Sequence, residues 1–122
     1  MILHKYMSIL YAAGGLYSTV EDLFRWDQAL YTDKLILKPL RDEMFAPQVK
    51  IPGSEFSYGY GWSVGVPFSR QYVYHGGMIN GFKSEIDRYP EDKFSVIVLS
   101  NREDAAVADI ILGIARMIFG EK

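Results

Sequence analysis

The spacing of hydrophobic and polar residues changes near residue 53. Before that point, apolar residues recur every three to four positions, as on one face of a helix. After it, they alternate with polar or small residues or form short apolar runs, as in strands. The pattern predicts a mainly helical part over residues 1–52 and a sheet with one final helix over residues 53–122.

The helical part contains one long predicted helix. Residues 1–13 are apolar and aromatic without a clear period, and we interpret them as an extended segment that Gly14-Gly15 interrupt. Ser18 or Thr19 is positioned to cap a helix over residues 20–31, because acidic residues follow three positions later, as in a capping box. The predicted apolar face of this helix consists of Val20, Leu23, Phe24, Leu30 and Tyr31, with Trp26 at its border.

Two further helices are predicted, one short and one long. Pro39 suits a first helical position, so a short helix is predicted from there to Phe45. Near the end of the chain, Asn101 is positioned to cap a helix over residues 102–119, and Gly120 to end it. The predicted apolar stripe of this last helix consists of Val107, Ile110, Ile111, Ile114 and Ile118.

Four segments have the pattern of strands. They cover residues 58–66, 72–75, 82–89 and 94–99, with turns or loops between them. In the first, large side chains alternate with glycine or serine, which indicates that other backbone approaches closely. In the last, the run from Val96 to Leu99 is typical of a central strand covered on both faces. We therefore predict an α+β fold, with an antiparallel meander of three to four strands and helices against one face of it.

The composition is that of one ordinary globular domain. The chain has 122 residues, 49% of them hydrophobic, and its 13 basic and 15 acidic residues give a formal net charge of −2. A chain of this length can bury a core without disulfides and is too short for a second domain of typical size. The near-neutral charge argues against a nucleic-acid partner. We expect a single domain over residues 1–122.

Several kinds of site are excluded by the residues that the sequence lacks. It has no cysteine, so a thiol nucleophile, a disulfide and a thiolate zinc site are impossible. His4 and His75 are its only histidines, and we expect neither a metal nor a cofactor. The apolar stretches fall short of the roughly 18 residues of a membrane span. The sequence shows no signal peptide, and it leaves the localisation open.

Three segments, each weakly informative alone, form a pattern together. Residues 13–26 contain Gly-Gly-Leu-x-Ser-Thr-x-x-Asp-Leu-x-x-Trp. Residues 58–62 are Tyr-Gly-Tyr-Gly-Trp, and residues 74–82 are Tyr-His-Gly-Gly-Met-Ile-Asn-Gly-Phe. Residues 89–101 have the pattern of a closing hairpin. In this order and spacing, the segments resemble the serine beta-lactamase and penicillin-binding-protein family, in its class C and esterase-like branch, over most of the chain.

The resemblance implies roles for His75, Gly76, Gly77 and Met78, which match the third active-site motif of that family, K-T-G or H-x-G. His75 would replace the usual lysine that faces the substrate carboxylate and the proton-transfer network. Gly77 would let substrate lie along the strand edge. The Met78 backbone N–H would be one of two oxyanion donors, the other being the N–H of the nucleophile.

The other two motifs of the family are absent from this sequence. The family's nucleophile is a serine in S-x-x-K, and none of the nine serines here has lysine three positions later. The second motif, Y-x-N or S-x-N, is missing at both asparagines, Asn80 and Asn101. Because both motifs precede the Gly-Gly-Leu segment in family members, we expect this chain to be the C-terminal part of a larger enzyme.

Structural interpretations of the same residues stay open beside the functional ones. His75 could be structural or incidental, and Gly76-Gly77 could form a turn or a bulge. Helix capping explains Ser18 and Thr19 better than nucleophilic chemistry does. Sheet packing, rather than a binding cleft, is the favoured interpretation of Tyr58, Tyr60, Trp62, Tyr72 and Tyr74. We interpret His4 as an ordinary terminal residue, and Lys93 and Arg102 as solvated charges in turns.

Two functions follow from the sequence as alternatives. One is part of a serine hydrolase acting on beta-lactam, peptide or ester acyl groups, with a small-molecule or peptidoglycan-like substrate in the complete enzyme and no activity of the isolated chain. The other is a non-catalytic remnant that self-associates or binds a partner. The family's sheet includes an N-terminal helix and two strands that this chain lacks, which implies an uncovered strand edge and either a homo-oligomer or an N-terminal half as partner. Complete members of the family are often exported or associated with the cell envelope.

Overall fold

A computed structural model of the chain describes residues 11–120, which form three α-helices and one antiparallel sheet of six strands. The helices are α1, Val20–Ala29, α2, Lys38–Met44, and α3, Val107–Phe119. The strands are β1, Val49–Lys50, β2, Ser57–Tyr58, β3, Ser63–Gly65, β4, Tyr72–Ile79, β5, Phe82–Tyr89, and β6, Phe94–Ser100. Of the segment predicted as extended, residues 1–13, the first ten lie outside the described residues. Its last three, Tyr11–Ala13, form one 3₁₀ turn.

The sheet confirms the predicted α+β class and the antiparallel meander. Its strands follow one another in the order of the sequence, from β1 to β6. Strands β4, β5 and β6 form its long central ladders, while β1 and β2 contribute two residues each. These two short strands raise the strand number above the predicted three to four. Two-residue strands are too short to give a period in the sequence, and for that reason the pattern does not indicate them.

The segment predicted as a strand over residues 58–66 is a hairpin instead. Its chain turns between β2 and β3, where Gly61 has a φ of 79°, a value that favours glycine. The predicted close approach of backbone is confirmed at Gly59, where a Cβ would lie 2.4 Å from the Met44 carbonyl oxygen. The Tyr60 N–H donates to the same carbonyl at 3.0 Å, so this turn packs on the end of α2.

Strand β4 is longer than predicted. The glycines after His75 were expected to end it, but the strand continues to Ile79, and only Asn80-Gly81 form the turn to β5. Pairing with β5 runs without interruption through Gly76 and Gly77, and neither glycine has a positive φ. Gly76-Gly77 are therefore neither a turn nor a bulge.

Helices pack on both faces of the sheet, not on one face as predicted. Directly opposite residues of an antiparallel ladder share a face, and neighbours along a strand alternate. Val73 packs with Leu30, the C-cap of α1, in one core cluster, whereas Val96 packs with Val107 and Ile111 of α3 in another. By the register, Val73 and Val96 lie on opposite faces. The meander therefore forms the middle layer of three.

Helix α1 begins as predicted, but its buried face differs. Thr19 is the N-cap, and its hydroxyl accepts from the Asp22 N–H at 3.2 Å. Val20 and Phe24, predicted on the apolar face, are exposed, while Asp27 and Leu30 are buried. The helix is thus oriented by a carboxylate that the apolar pattern does not include.

Asp27 forms a buried ion pair with Arg88 of β5. The Arg88 Nε donates to Asp27 Oδ1, and both side chains are at most 1% exposed. Ser95 of β6 donates to the second carboxylate oxygen of Asp27 at 3.2 Å. Three aromatic rings surround the guanidinium, with centroids 4.9 to 5.8 Å from its carbon, and they belong to Tyr31, Phe45 and Trp62.

Helix α3 begins five residues later than predicted. Asn101 does not cap it, since residues 101–106 form a turn and the N-cap is Ala106. Gly120 ends the helix in the left-handed region, as predicted. Ile111 is buried, but Ile110 and Ile118 of the predicted stripe are exposed. Val107, Ile111 and Ile114 of the predicted stripe do pack in the core, and Ala115, which was not predicted, is buried beside them.

Strand β6 is an edge strand, although its apolar run predicted a central one. Within residues 11–120 it pairs with β5 alone. The run remains apolar because α1 and α3 contact β6 from opposite faces. Both faces are therefore covered, as predicted, while the outer edge of β6 has no neighbouring strand among these residues.

Candidate functional site

The residues of the predicted third motif, His75, Gly76, Gly77 and Met78, lie together on β4. All four are exposed. On one side they pair with β5, residue by residue, from Ile86 to Lys83. On the other side, β3 pairs only with Tyr72 to Tyr74, so within the described residues the motif borders an open edge of the sheet.

The side chain of His75 contacts a tyrosine from a neighbouring hairpin. Its Nε2 lies 3.2 Å from the hydroxyl oxygen of Tyr58, and the two rings meet edge to face with centroids 6.3 Å apart. The imidazole tautomer decides the direction of this hydrogen bond. If Nε2 carries a proton, it donates to the Tyr58 oxygen, and if it does not, it accepts from the Tyr58 hydroxyl. The imidazole is thereby oriented while it remains accessible to solvent.

Tyr58 is a residue of the candidate site for which sheet packing, rather than a binding cleft, was the favoured interpretation. At 38% exposure it is not a core residue. Other members of the same aromatic group do pack, since Tyr72 and Tyr74 stack with centroids 5.2 Å apart. The signal that could have separated them was the Tyr-Gly-Tyr-Gly-Trp sequence, because it places Tyr58 before a turn rather than inside a strand.

Gly77 faces a close neighbour on β5. A Cβ at this position would lie 2.8 Å from Ser84 Oγ, whereas a Cβ at Gly76 would meet its nearest atoms at 3.7 Å, an ordinary contact. A side chain at Gly77 would therefore require the Ser84 hydroxyl to move. At Gly76, an alanine would fit.

The turn that follows the motif is attached to the loop before α3. Gly81 has a φ of 84°, and its N–H donates to Glu103 Oε2 at 2.8 Å. Glu103 lies in the turn between β6 and α3. The contact joins the tip of the β4–β5 hairpin to the loop that follows β6, and it was not predicted.

A buried acid lies on the opposite face of the sheet from His75. Asp87 pairs with Tyr74, is 2% exposed, and accepts from the Tyr72 hydroxyl at 2.5 Å through Oδ2. The pKa of Asp87 is raised to about 7, mainly because the carboxyl is buried. The Tyr72 hydrogen bond lowers this pKa, and the charge of Glu85 contributes to raising it. Burial and the neighbouring Asp87 likewise raise the pKa of Tyr72. At neutral pH this carboxyl is therefore partly protonated.

The remaining residues singled out in the sequence have structural surroundings. Thr19 caps α1, and the Ser18 hydroxyl donates to the Thr19 carbonyl. Arg102 forms an exposed ion pair with Asp104 at 2.8 Å, and Lys93 ends the turn after Pro90. His4 lies outside the described residues.

Two searches of residues 11–120 bear on cofactors and membranes. No group of three or more histidine or acidic residues in this range is placed to hold a metal ion. No helix in the same range is long and apolar enough to cross a bilayer.

Comparison with known proteins identifies the family. The beta-lactamase family model matches residues 3–117. The chain belongs to the beta-lactamase family. Among curated relatives, penicillin-binding protein 4* of Bacillus subtilis (strain 168) is 34% identical over 119 residues, which are 95% of this chain and 26% of that protein. The putative penicillin-binding protein PbpX of the same organism is 35% identical over 100 residues, 82% of this chain and 23% of that protein.

A solved structure supports the fold. The octameric penicillin-binding protein homologue from Pyrococcus abyssi superposes with a TM-score of 0.80 at 23% sequence identity, over 86% of this chain and 25% of that one. The family model and the curated relatives confirm the predicted resemblance to the family. The chain spans about a quarter of the length of these curated relatives.

Proposed function

We propose that this chain supplies the third active-site motif of a serine hydrolase of the beta-lactamase and penicillin-binding-protein type, acting on beta-lactam, peptide or ester acyl groups. The observation that carries the proposal is the exposed segment His75-Gly76-Gly77-Met78 on an open edge of β4. On this proposal residues 1–122 are the C-terminal part of one domain, and a small-molecule or peptidoglycan-like substrate lies along that edge.

Each residue of the motif has a proposed role. His75, oriented by Tyr58, faces the substrate carboxylate and the proton-transfer network. Gly77 leaves space for substrate against the strand. Ile79 and Phe82 flank a two-residue turn, and residues in that position form a hydrogen-bonded pair. Along an antiparallel ladder, hydrogen-bonded and non-hydrogen-bonded pairs alternate, so the next pair, Met78 and Lys83, is not hydrogen-bonded. By this count the Met78 N–H is directed away from β5, towards the open edge, as an oxyanion donor requires.

The isolated chain is proposed to be inactive. Covalent acyl transfer needs a hydroxyl activated by a nearby base, and no serine in this sequence has the family's lysine one helical turn later. A histidine and an oxyanion donor position a substrate but form no acyl-enzyme.

Labelling with a fluorescent penicillin tests this inactivity. We expect no stoichiometric penicilloyl adduct by mass spectrometry and only background hydrolysis of a chromogenic cephalosporin. An adduct on the unassisted chain would show that a serine has been overlooked. Ser54 and Ser57, in and after the turn that follows β1, are the first to examine.

Recombination with an N-terminal half that carries S-x-x-K and Y-x-N, supplied by a family member, tests the motif itself. If labelling is restored, His75→Ala is expected to reduce it by about a hundredfold, the usual loss for a proton-transfer group. Met117→Ala is the matched control, because Met117 is 77% exposed on α3. Restored labelling that is equal in both variants would contradict the proposed role of His75.

A non-catalytic role in association is the second candidate function. The outer edge of β6 is unpaired within residues 11–120, and the neighbouring apolar residues Val20, Phe24 and Leu99 are exposed. Unpaired strand edges and apolar surface favour pairing with another chain. The similar protein from Pyrococcus abyssi is described as octameric. We therefore propose a homo-oligomer or an N-terminal half as the partner at β6, and recovery of activity upon recombination would favour the latter.

A further inference from the structure

The hydrogen bond between Tyr58 and His75 makes the two nitrogens of the imidazole unequal. Nε2 lies 3.2 Å from the Tyr58 hydroxyl oxygen. Within residues 11–120 this is the one hydrogen bond of the His75 side chain, so Nδ1 has no partner there. The residue as a whole is exposed. Nε2 is therefore bound to the protein, while Nδ1 is left for solvent or a ligand.

Tyr58 is held in place by its backbone. As part of β2 it pairs with Val49 of β1 and with Ser63 of β3. Its carbonyl accepts from the Gln48 N–H at 3.0 Å, and the turn that follows it packs on the end of α2. A tyrosine ring has only two side-chain torsions, so little freedom is lost when its hydroxyl is bound. The hydroxyl is thus presented to His75 by a rigid ring on a fixed strand.

The relative basicity of the two groups decides the direction of the bond when the imidazole is neutral. An imidazole nitrogen without a proton is a stronger base than a phenol oxygen, and a phenol is a stronger acid than a neutral imidazole N–H. The stronger arrangement is the one in which the Tyr58 hydroxyl donates to Nε2. A neutral imidazole carries a single proton, and a bond accepted at one nitrogen leaves that proton on the other. The proton of His75 then lies on Nδ1.

This proton is present in both charge states of the ring. An imidazolium is protonated on both nitrogens, and the neutral ring in this tautomer keeps the proton on Nδ1. A change in the charge of His75 therefore alters only the side that faces Tyr58, where the direction of the hydrogen bond reverses. On the other side Nδ1 is a donor in either state, and a donor needs an oxygen that accepts.

We propose that Tyr58 is a positioning residue, which holds His75 in the Nδ1–H tautomer so that Nδ1 donates to an acceptor oxygen of the substrate. That the ligand is a substrate rests on the proposed function, whereas the tautomer does not. A carboxylate, which only accepts, is the substrate group that such a donor matches best.

Nitrogen-15 NMR of the full 122-residue chain at about pH 8, where an imidazole is neutral, tests the tautomer. Protonated and unprotonated imidazole nitrogens have well-separated chemical shifts, so the spectrum tells which nitrogen carries the proton. The sequence has one other histidine, His4, and the signals that disappear in His75→Gln are those of His75. We expect the Nδ1–H form to predominate. A predominant Nε2–H form in the natural chain would overturn the proposal.

A matched pair of variants tests whether the phenol selects this tautomer. Tyr58→Phe removes the hydroxyl and keeps the ring, and the ratio of Nδ1–H to Nε2–H is expected to fall about two- to tenfold, the effect of one hydrogen bond of ordinary strength. Tyr60→Phe removes a hydroxyl from a 59% exposed residue of the following turn and should leave the ratio unchanged. Amide spectra verify that both variants are folded. An unchanged ratio in Tyr58→Phe would refute the role of Tyr58.

Recombination with an N-terminal half that carries S-x-x-K and Y-x-N separates this inference from the proposed function. If labelling is restored, we expect Tyr58→Phe to lower it about two- to tenfold, and to have no further effect in a His75→Ala chain, because Tyr58 acts through His75. Loss of labelling in His75→Ala without any loss in Tyr58→Phe would sink the inference and leave the proposed function standing. Labelling that does not depend on His75 would contradict the proposed function instead, and the tautomer of the isolated chain would still decide the role of Tyr58.

Discussion

At the scale of single residues, the buried Asp27–Arg88 pair is the interaction whose loss we expect to cost most. Removing one partner leaves the other charge buried without compensation, which typically costs about 3–5 kcal/mol. We therefore expect Asp27→Ala to lower the free energy of unfolding by about that amount, measured by urea denaturation.

The control for this variant is an aspartate of the same helix. Asp22 pairs with Arg25 at 2.6 Å, but both side chains are more than half exposed. Exposed pairs contribute at most about 1 kcal/mol, so Asp22→Ala should lower the free energy of unfolding by less than that. Similar losses in the two variants would mean that the burial of Asp27 does not determine its contribution.

The pKa of Asp87 leads to a pH dependence of stability. In the unfolded chain this carboxyl loses its proton near pH 4, its ordinary value, whereas in the folded chain it keeps the proton to about pH 7. Between these values the unfolded state binds fewer protons than the folded state, so stability falls as the pH rises, and the loss is complete above pH 7.

Asp87→Asn, which cannot ionise, should lack this loss. We expect the free energy of unfolding of the natural chain to fall relative to that of Asp87→Asn between about pH 4 and pH 7, with a slope that approaches about 1.4 kcal/mol per pH unit. Glu55→Gln, a change at an exposed carboxylate, is the control and should give a curve parallel to the natural one. If the curve of Asp87→Asn were also parallel to that of the natural chain, the raised pKa of Asp87 would be contradicted.

The contrast between Thr19 and Asp27 shows what single residues reveal in a sequence. Thr19 could be predicted as a cap because its partner, the Asp22 N–H, is three residues away. Asp27 could not be predicted as a core residue, since Arg88 and Ser95 are 61 and 68 residues away. A charge on a helix is normally solvated, and only the tertiary contact makes this one internal.

At the scale of elements, α3 provides the sharpest test of which side chains contact the sheet. Ile111 is 2% exposed and packs with Val96 and Val107, while its neighbour Ile110 is 50% exposed. Removing a buried isoleucine side chain leaves a cavity and costs about 2–5 kcal/mol. We expect Ile111→Ala to fall in that range and Ile110→Ala to cost less than about 1 kcal/mol, both by thermal or urea unfolding. A larger loss of unfolding free energy in Ile110→Ala than in Ile111→Ala would mean that α3 turns a different face to the sheet.

Strand boundaries differ in how well the sequence predicts them. Strand β5 has the predicted bounds because a turn residue stands at each end and its interior contains no glycine. Strand β4 was predicted too short, because glycine normally weakens a strand and the motif contains two in succession. The continuous pairing of β4 with β5 outweighs that preference. The local pattern cannot show such a neighbour.

The candidate site follows the same division. The segment from His75 to Met78 was found by its resemblance to a family, since its residue types carry no decisive signal alone. Its orientation on an open strand edge and the contact of His75 with Tyr58 required the pairing of β3 with β4. The resemblance to the family therefore located the motif, and the sheet register determines which groups it contacts.

At the scale of the whole molecule, the edge of β6 predicts association. We expect the chain to form oligomers at tens of micromolar, measured by light scattering. Leu99→Lys should reduce association, because it places a charge beside the edge of β6 that has no strand partner within residues 11–120. Met117→Lys adds the same charge to an exposed position of α3 and should have no such effect. A stable monomer of the natural chain would count against this surface as an interface.

The order of the strands in the sheet also has a kinetic consequence. Every strand pairs with its neighbour in sequence, so each pairing closes only a short loop and loses little chain entropy. The Asp27–Arg88 contact instead closes a loop of 61 residues. We infer that the meander assembles first and that α1 docks after the folding transition state. Stopped-flow measurements on Asp27→Ala should then show faster unfolding with a nearly unchanged folding rate, and a slower folding rate would reverse that order of events.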